Sequence, residues 1–298
     1  MEIVLYITGS LTNIIRLLRP HQYIKNLFIF TPVFFAGQFL EASIVYNALI
    51  GFVGFSITAS AIYILNDYKD IEQDRLHPKK KNRPLASGAV NKSLALSLMF
   101  FLLAAGIGLM SWVSLQAMGI LLLYVVLNLA YSYKLKHVAI FDIAIIATGF
   151  VLRLFVGSAV TGIPLSQWII IMTFLLALFL ALAKRRDDML IYLDTNIKMR
   201  KVIEFYNLKF IEGAMMIMAS VTIVAYILYT TSPSITSRLQ SDSVYLTALY
   251  VVLGVMRYLQ ITFVEEDSGA PAHKISRDPF LIFVVVAWLT HFGVLLYV

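Results

Sequence analysis

The densest run of chemically capable side chains is Asn66-Asp67-Tyr68-Lys69-Asp70-Ile71-Glu72-Gln73-Asp74-Arg75, which directly follows an apolar stretch. On a continuing helix at about 100° per residue, Asn66, Asp70 and Asp74 stack in one narrow stripe with Asp67 at its edge. Tyr63, one turn earlier, faces the same way. Carboxylates so close repel one another unless a cation holds them. Oxygen donors on one stripe suit Mg2+, which keeps several waters and takes one or two carboxylates together with substrate phosphates. Arg75, His77, Lys79, Lys80, Lys81 and Arg83 follow at once. Carboxylates that collect a metal, beside cations that collect phosphate oxygens, are what a metal-pyrophosphate requires. A solvated acidic helix end is the plainer alternative; the attachment of the stripe to an apolar span and to a basic run argues against it.

Other charges stand where charge is costly. Asp142 and Arg153 share one apolar stretch, where lone charges normally face a bundle interior. Their spacing is close to three helical turns, which puts them on one face about 16 Å apart, bracketing a polar cavity or forming structural pairs. Arg257 is similar. The run Lys184-Arg185-Arg186-Asp187-Asp188 ends another apolar stretch and serves either as a phosphate-binding group or as an anchor at the membrane surface. The five histidines show no ligand spacing, and with no cysteine there are neither disulfides nor thiolate metal sites.

The elements that position these groups must live in lipid. The 298 residues are 60% hydrophobic and 14% charged, against about 45–50% and 25% in soluble domains. Apolar runs near 27–40, 44–65, 93–112, 117–131, 139–160, 167–183, 210–229, 244–264 and 280–298 give about nine transmembrane helices, the first and fourth short. Residues 1–18 are too broken by Thr8, Ser10, Asn13 and Arg16 for a cleavable signal and read as an interfacial helix. A net charge of +7 would suggest nucleic acid in a soluble protein, but location matters more in a membrane. Alternate connections on one side hold 21 of the 24 Lys and Arg residues, so that side is cytoplasmic and the C-terminus lies outside. No linker or low-complexity segment marks a boundary, so residues 1–298 read as one polytopic membrane domain.

The motif Asn66-Asp67-x-x-Asp70-x-x-x-Asp74 resembles the first aspartate-rich motif of the UbiA superfamily of intramembrane prenyltransferases. Within it, NDYKDIEQDRLHPKKKNRPLASG at 66–88 is most similar to the decaprenyl-phosphate phosphoribosyltransferases. The resemblance continues in RPHQYIKN at 19–26, YSYKLKH at 131–137, GFVLRLFVG at 149–157 and AKRRDDM at 183–189. It implies an all-α, UbiA-like bundle in the cell membrane with a cytoplasm-facing active-site cavity. The aromatic prenyltransferases carry a second aspartate-rich motif where this chain has Lys184, Arg185 and Arg186, a departure that fits direct neutralisation of phosphates.

The activity this resemblance implies is Mg2+-dependent transfer of 5-phosphoribose from phosphoribosyl pyrophosphate to a polyprenyl phosphate, a glycosyl transfer releasing pyrophosphate. Asn66 and Asp70 are the implied metal ligands, and Asp67, Asp70 and Asp74 the catalytic carboxylates. Lys25, Tyr63, Arg75, Lys80, Arg83, Tyr131, Lys136, Arg153, Lys184 and Arg185 are the implied substrate contacts. The expected partners are the two substrates and the bilayer, not nucleic acid, with a homo-oligomer left open. Two alternatives compete: an aromatic prenyltransferase using a polyprenyl diphosphate, which calls for a second acidic motif, and a transporter using Asp142, Arg153 and Arg257 as a pathway.

Overall fold

The computed structural model describes residues 11–76, 80–196, 200–266, 274–275 and 277–297. His77, Lys79, Lys198, His273, residues 1–10 and Val298 lie outside the described residues. Those described are helical and irregular, without strand. Among the described residues, eight helices are long and apolar enough to cross a membrane: α1 (Ala42–Lys69), α2 (Lys92–Val113), α3 (Leu115–Tyr133), α4 (Phe141–Thr161), α5 (Gln167–Thr195), α6 (Leu208–Thr230), α7 (Ala248–Phe263, entered through a 3-10 turn at Val244–Thr247) and α8 (Pro279–Tyr297).

The expected first span over 27–40 is not one long helix. An 11-residue 3-10 helix runs from Pro20 to Phe30, a five-residue α-helix from Thr31 to Phe35, and the chain then turns through Gly37 at φ 70°. Pro32 explains the break: lacking an N–H, proline is accommodated in the first turn of a helix, so it ends one element and starts another.

The chain forms two compact units. The first comprises Met1–Phe34, Gln38–Tyr133 and Leu152–Pro164. Its centre is α1, whose apolar stretch is 61% buried against 22% for α2 and for α3. Gly51, Gly54, Ser56, Thr58, Ala59 and Ser60 are all buried on it, and small side chains let backbones approach closely where lipid gives no hydrophobic drive for association. A Cβ at Gly106 of α2 would overlap Thr58, and one at Gly157 of α4 would overlap the Ile29 carbonyl. The 3-10 helix therefore lies directly on α4. It runs antiparallel to α1: Arg19 meets Asp67, Tyr23 meets Ser60, Asn26 meets Ser56 and Phe30 meets Phe52. A satellite core of Leu17, Ile64, Ile71, Leu85, Val90, Ala95 and Met99 holds the connection after α1 against the ends of α1 and α2.

The second unit comprises Phe35–Gly37, Lys134–Val151 and Leu165–Val298. Phe179, Leu182 and Met189 of α5, Ile211 and Met215 of α6 and Tyr258 of α7 form its core with Val202 and Ile203 from the α5–α6 connection. At another place Phe35, Tyr229, Trp288 and Phe292 pack edge to face, and Arg238 donates to the Phe35 carbonyl. Side-chain caps at Asn91, Ser166 and Asn207 accept from the backbone N–H groups of Ser93, Trp168 and Phe210, fixing the starts of α2, α5 and α6. Exposed Phe100, Phe101 and Trp112 on α2 and Met216, Ile217 and Val224 on α6 are apolar surface suited to lipid.

Candidate active site

The aspartate-rich motif sits in the first unit, where α1 ends. Asp70 caps α1 with φ −97° and ψ 9°, and a short helix over Ile71–Leu76 resumes. The i to i+4 bonds survive the break: the Asp70 N–H donates to the Asn66 carbonyl at 3.0 Å and the Asp74 N–H to the Asp70 carbonyl at 2.8 Å. The side chains part company. Asp67 and Asp74, 2% and 3% exposed, share Arg83, whose Nη1 donates to Asp67 Oδ1 at 3.0 Å and to Asp74 Oδ2 at 2.7 Å. Arg19 donates to the same Asp67 oxygen. Asn66 is oriented differently, its Oδ1 against the Ser132 hydroxyl of α3, whose one proton is shared with the Asn128 carbonyl 2.7 Å away. Lys69 lies over the Tyr133 ring, 3.0 Å from its centroid, and joins the same two helix ends. The Asp67 and Asp74 carboxylates are thus held apart by guanidinium groups from outside the stripe.

Arg75, expected at substrate, donates its Nε to the Ala86 carbonyl at 3.1 Å and its Nη1 to Glu72. It fastens the connection that carries Lys80 and Arg83. Lys80 and Tyr131 are half-buried in the same unit. Deeper in this unit Arg153 is 5% exposed; its Nε donates to Asn26 Oδ1 at 2.8 Å, and its guanidinium stacks 4.8 Å from the Phe55 ring centroid and 5.4 Å from that of Tyr124.

In the second unit Lys136 is half-buried and Lys184 exposed. Arg185, expected to contact phosphate, is fully buried instead. Its Nε donates to Asp142 Oδ2 at 2.5 Å and its Nη1 to Asp188 Oδ2 at 2.8 Å, and Arg200 meets the same Asp188 oxygen at 3.3 Å. The Tyr206 hydroxyl donates to Asp142 Oδ1 at 2.7 Å and accepts from the Ile140 N–H at 2.7 Å. Burial, reinforced by the hydrogen bond to Asp142, pushes the Tyr206 phenol up, so it remains a donor at neutral pH. Arg186 ties α5 to α6 and α7 through Glu212, the Thr262 carbonyl and the Phe263 ring. Arg257 is held by Asp278 and Glu265.

The sequence model of the UbiA prenyltransferase family matches residues 27–284. The chain belongs to that family. This UbiA family member is 31% identical over 299 residues to the decaprenyl-phosphate phosphoribosyltransferase of Mycolicibacterium smegmatis, covering 96% of this chain and 93% of the relative. It is 31% identical to the Corynebacterium glutamicum protein of the same name, covering 93% and 84%. A UbiA homolog from Archaeoglobus fulgidus, solved with DMAPP and Mg2+, superposes with a TM-score of 0.71 at 16% identity over 95% of this chain and 98% of that one. That likeness is one of fold. The protein is accordingly a multi-pass membrane protein of the UbiA family.

The oxygen set of this UbiA protein fits Mg2+. Asn66 and Asp70 offer few protein ligands, as suits an ion that keeps waters and takes substrate phosphates. No closed cage of three or more His, Cys, Asp or Glu occurs among the described residues. Arg19, Asn26 and Ser132 were not singled out from sequence as site residues. Arg19 and Asn26 fall inside the quoted segment 19–26 and Ser132 inside 131–137, so the resemblance marked their neighbourhood without assigning them a role.

Proposed function

We propose that this chain transfers 5-phosphoribose from phosphoribosyl pyrophosphate to a polyprenyl phosphate and releases pyrophosphate. What carries this reading is that relatives matching nearly its whole length, at 26–31% identity, are named decaprenyl-phosphate phosphoribosyltransferases. In the reaction, an anionic oxygen of the lipid phosphate forms a bond to the anomeric carbon as the bond to pyrophosphate breaks and its electron pair leaves with pyrophosphate. The attacking oxygen is already charged, so no general base is required. Bound Mg2+ supplies charge neutralisation for the leaving group. Asn66, oriented by Ser132, and Asp70 hold the metal's side of the site, while Lys80 and Arg83 offer charge-assisted hydrogen bonds to phosphate oxygens. Catalysis then comes from positioning and charge stabilisation as the anomeric carbon gains positive character.

The distribution of basic residues puts the aspartate-rich motif on the cytoplasmic face and the C-terminus outside. Keeping Arg16 and Arg19 on that same face as well needs a crossing by residues 20–35. Eleven residues at about 2.0 Å and five at about 1.5 Å reach about 30 Å, the thickness of a hydrocarbon core, with fewer residues than an α-helix uses.

The test is incubation of membranes holding the protein with labelled phosphoribosyl pyrophosphate, Mg2+ and polyprenyl phosphate. Label should enter the lipid fraction, and Asp70→Asn should abolish it at ordinary magnesium. No labelled lipid from folded wild-type protein overturns the activity; normal magnesium-dependent turnover by Asp70→Asn overturns the metal site.

A further inference from the structure

Within the first unit, where α1 and α3 end, the hydroxyl of Ser132 stands between two groups that cannot both take its proton. Ser132 is 2% exposed, and its Oγ lies 2.7 Å from the Asn128 carbonyl one turn earlier on α3. The same oxygen touches the side-chain amide of Asn66 on α1. The surroundings hold it there. Lys69 of α1 donates to the Ser132 carbonyl at 3.4 Å and lies over the Tyr133 ring, and Asn128 is pinned by its Nδ2 to the Tyr124 carbonyl at 2.8 Å. Among the described residues the Asn66 side chain has no other hydrogen-bond partner.

A hydroxyl carries one proton and two lone pairs, so it donates once and otherwise accepts. With Oδ1 of Asn66 turned to Ser132, that single proton faces two oxygens, and whichever contact it does not serve sets lone pairs against lone pairs. The helix decides between them. A serine inside a helix donates to the carbonyl four residues back, and 2.7 Å is the ordinary O–H···O length. The proton therefore belongs to Asn128, and Ser132 meets Asn66 as an acceptor. A side-chain amide has a donor end and an acceptor end of nearly the same shape, exchanged by a half-turn about χ2. Only with Nδ2 on Ser132 are both contacts hydrogen bonds, and Oδ1 is then the end turned away from Ser132.

We propose that Ser132 is a positioning residue: it accepts from Asn66 Nδ2 and so fixes the amide with Oδ1 offered to the metal. This rests on the metal site of the proposed function. It also accounts for an amide at position 66 in a motif whose other members are Asp67, Asp70 and Asp74. A carboxylate there would offer a metal the same oxygen with more charge, but it has no proton for Ser132. Outer partners that orient a metal ligand in this way are worth about 10–100-fold in metal affinity.

The experiment is equilibrium dialysis of the detergent-solubilised full chain against Mn2+ and inorganic pyrophosphate, with bound metal counted by EPR. Mn2+ is the paramagnetic stand-in for Mg2+, and the thermal midpoint of metal-free protein is recorded in parallel. Ser132→Ala should weaken metal binding by at least about tenfold, and Ser132→Thr, which keeps the hydroxyl, should restore most of it. In an Asn66→Asp background Ser132→Ala should weaken nothing, because a carboxylate gives Ser132 no proton to accept. The same loss in both backgrounds means that Ser132 donates to whatever oxygen stands at position 66, and overturns the proposal. So does an Asn66→Asp chain that binds no metal with or without Ser132→Ala. Wild-type affinity in Ser132→Ala, including with a lowered midpoint, leaves a merely structural serine and overturns it too. Should Ser132→Ala fail to fold, Ser132→Cys, a weak acceptor of similar shape, carries the same expectations. Wild-type protein that shows this pattern yet transfers no label overturns the proposed activity and leaves the role of Ser132 standing; label transfer with unchanged metal binding by Ser132→Ala does the reverse, and wild-type protein that binds no Mn2+ with pyrophosphate overturns both the metal site and this role.

Discussion

The first unit and the second each hold a cluster of arginines and carboxylates, and the two differ in where the guanidinium sits. Around the aspartate-rich motif the carboxylates are buried but the arginines are not: the Arg19 and Arg83 side chains are 21% and 28% exposed, and Asp67 draws on both. Around Asp142 the guanidinium is buried too, with Arg185 and Asp142 at 1% and 0%. A guanidinium still touching water can exchange a carboxylate for a phosphate at modest cost, since its desolvation is incomplete. One sealed between Asp142 and Asp188 cannot leave without stranding a buried charge. The first cluster can therefore rearrange at lower cost than the second, which holds α4, α5 and the segment up to Tyr206 in one geometry.

This contrast is sharpest at Arg185. Replacing it with Met leaves Asp142 buried with only Tyr206 and should cost about 3–5 kcal/mol, seen as a large fall in thermal midpoint and in folded yield from detergent. Adding Asp142→Asn to the same chain should recover part of that loss, because the stranded charge is gone. An Arg185→Met protein as stable as wild type would remove the distinction between the clusters.

Arg83→Met should come next. Asp67 keeps Arg19, but Asp74 loses a charge-assisted hydrogen bond worth about 1.5–3 kcal/mol, reduced by the exposure of the guanidinium. The same thermal assay ranks it, and a midpoint below that of Arg185→Met would invert the comparison. Arg19→Met should be the mildest, at about 1 kcal/mol or less, since Arg83 still serves Asp67 and Arg19 is partly solvated. A loss as large as that of Arg83→Met would mean that Asp67 does not share its two partners as the geometry indicates.

Much of this was legible in the chain itself. Composition and the length of the apolar runs fixed a polytopic helical protein, and the observed helices over 42–69, 92–113, 208–230 and 279–297 lie within a few residues of the expected spans. That agreement has a simple cause: in hydrocarbon every backbone group must be bonded within its own helix, so span length follows from hydropathy. The shortest expected span was the exception. A 3-10 helix advances further per residue, and its close seat on α4 depends on Gly157, far away in sequence.

The motif at 66–75 and its charge types could be read locally because a helical stripe is set by residues at most one turn apart. The spacing of Asp142 and Arg153 likewise put them on one helix. What no spacing revealed was which partner each group meets, as ion pairs here join residues 16, 43 and 48 positions apart and the Tyr206–Asp142 hydrogen bond spans 64. Sequence alone determined that this is a membrane-embedded UbiA-type protein with an acidic stripe beside a basic run. Tertiary structure alone decided that Asp67 and Asp74 are held by Arg19 and Arg83, that Arg185 is sealed against Asp142 and Asp188, and that Arg153 sits against Asn26 and two aromatic faces, because partner choice among buried charges follows from packing in three dimensions.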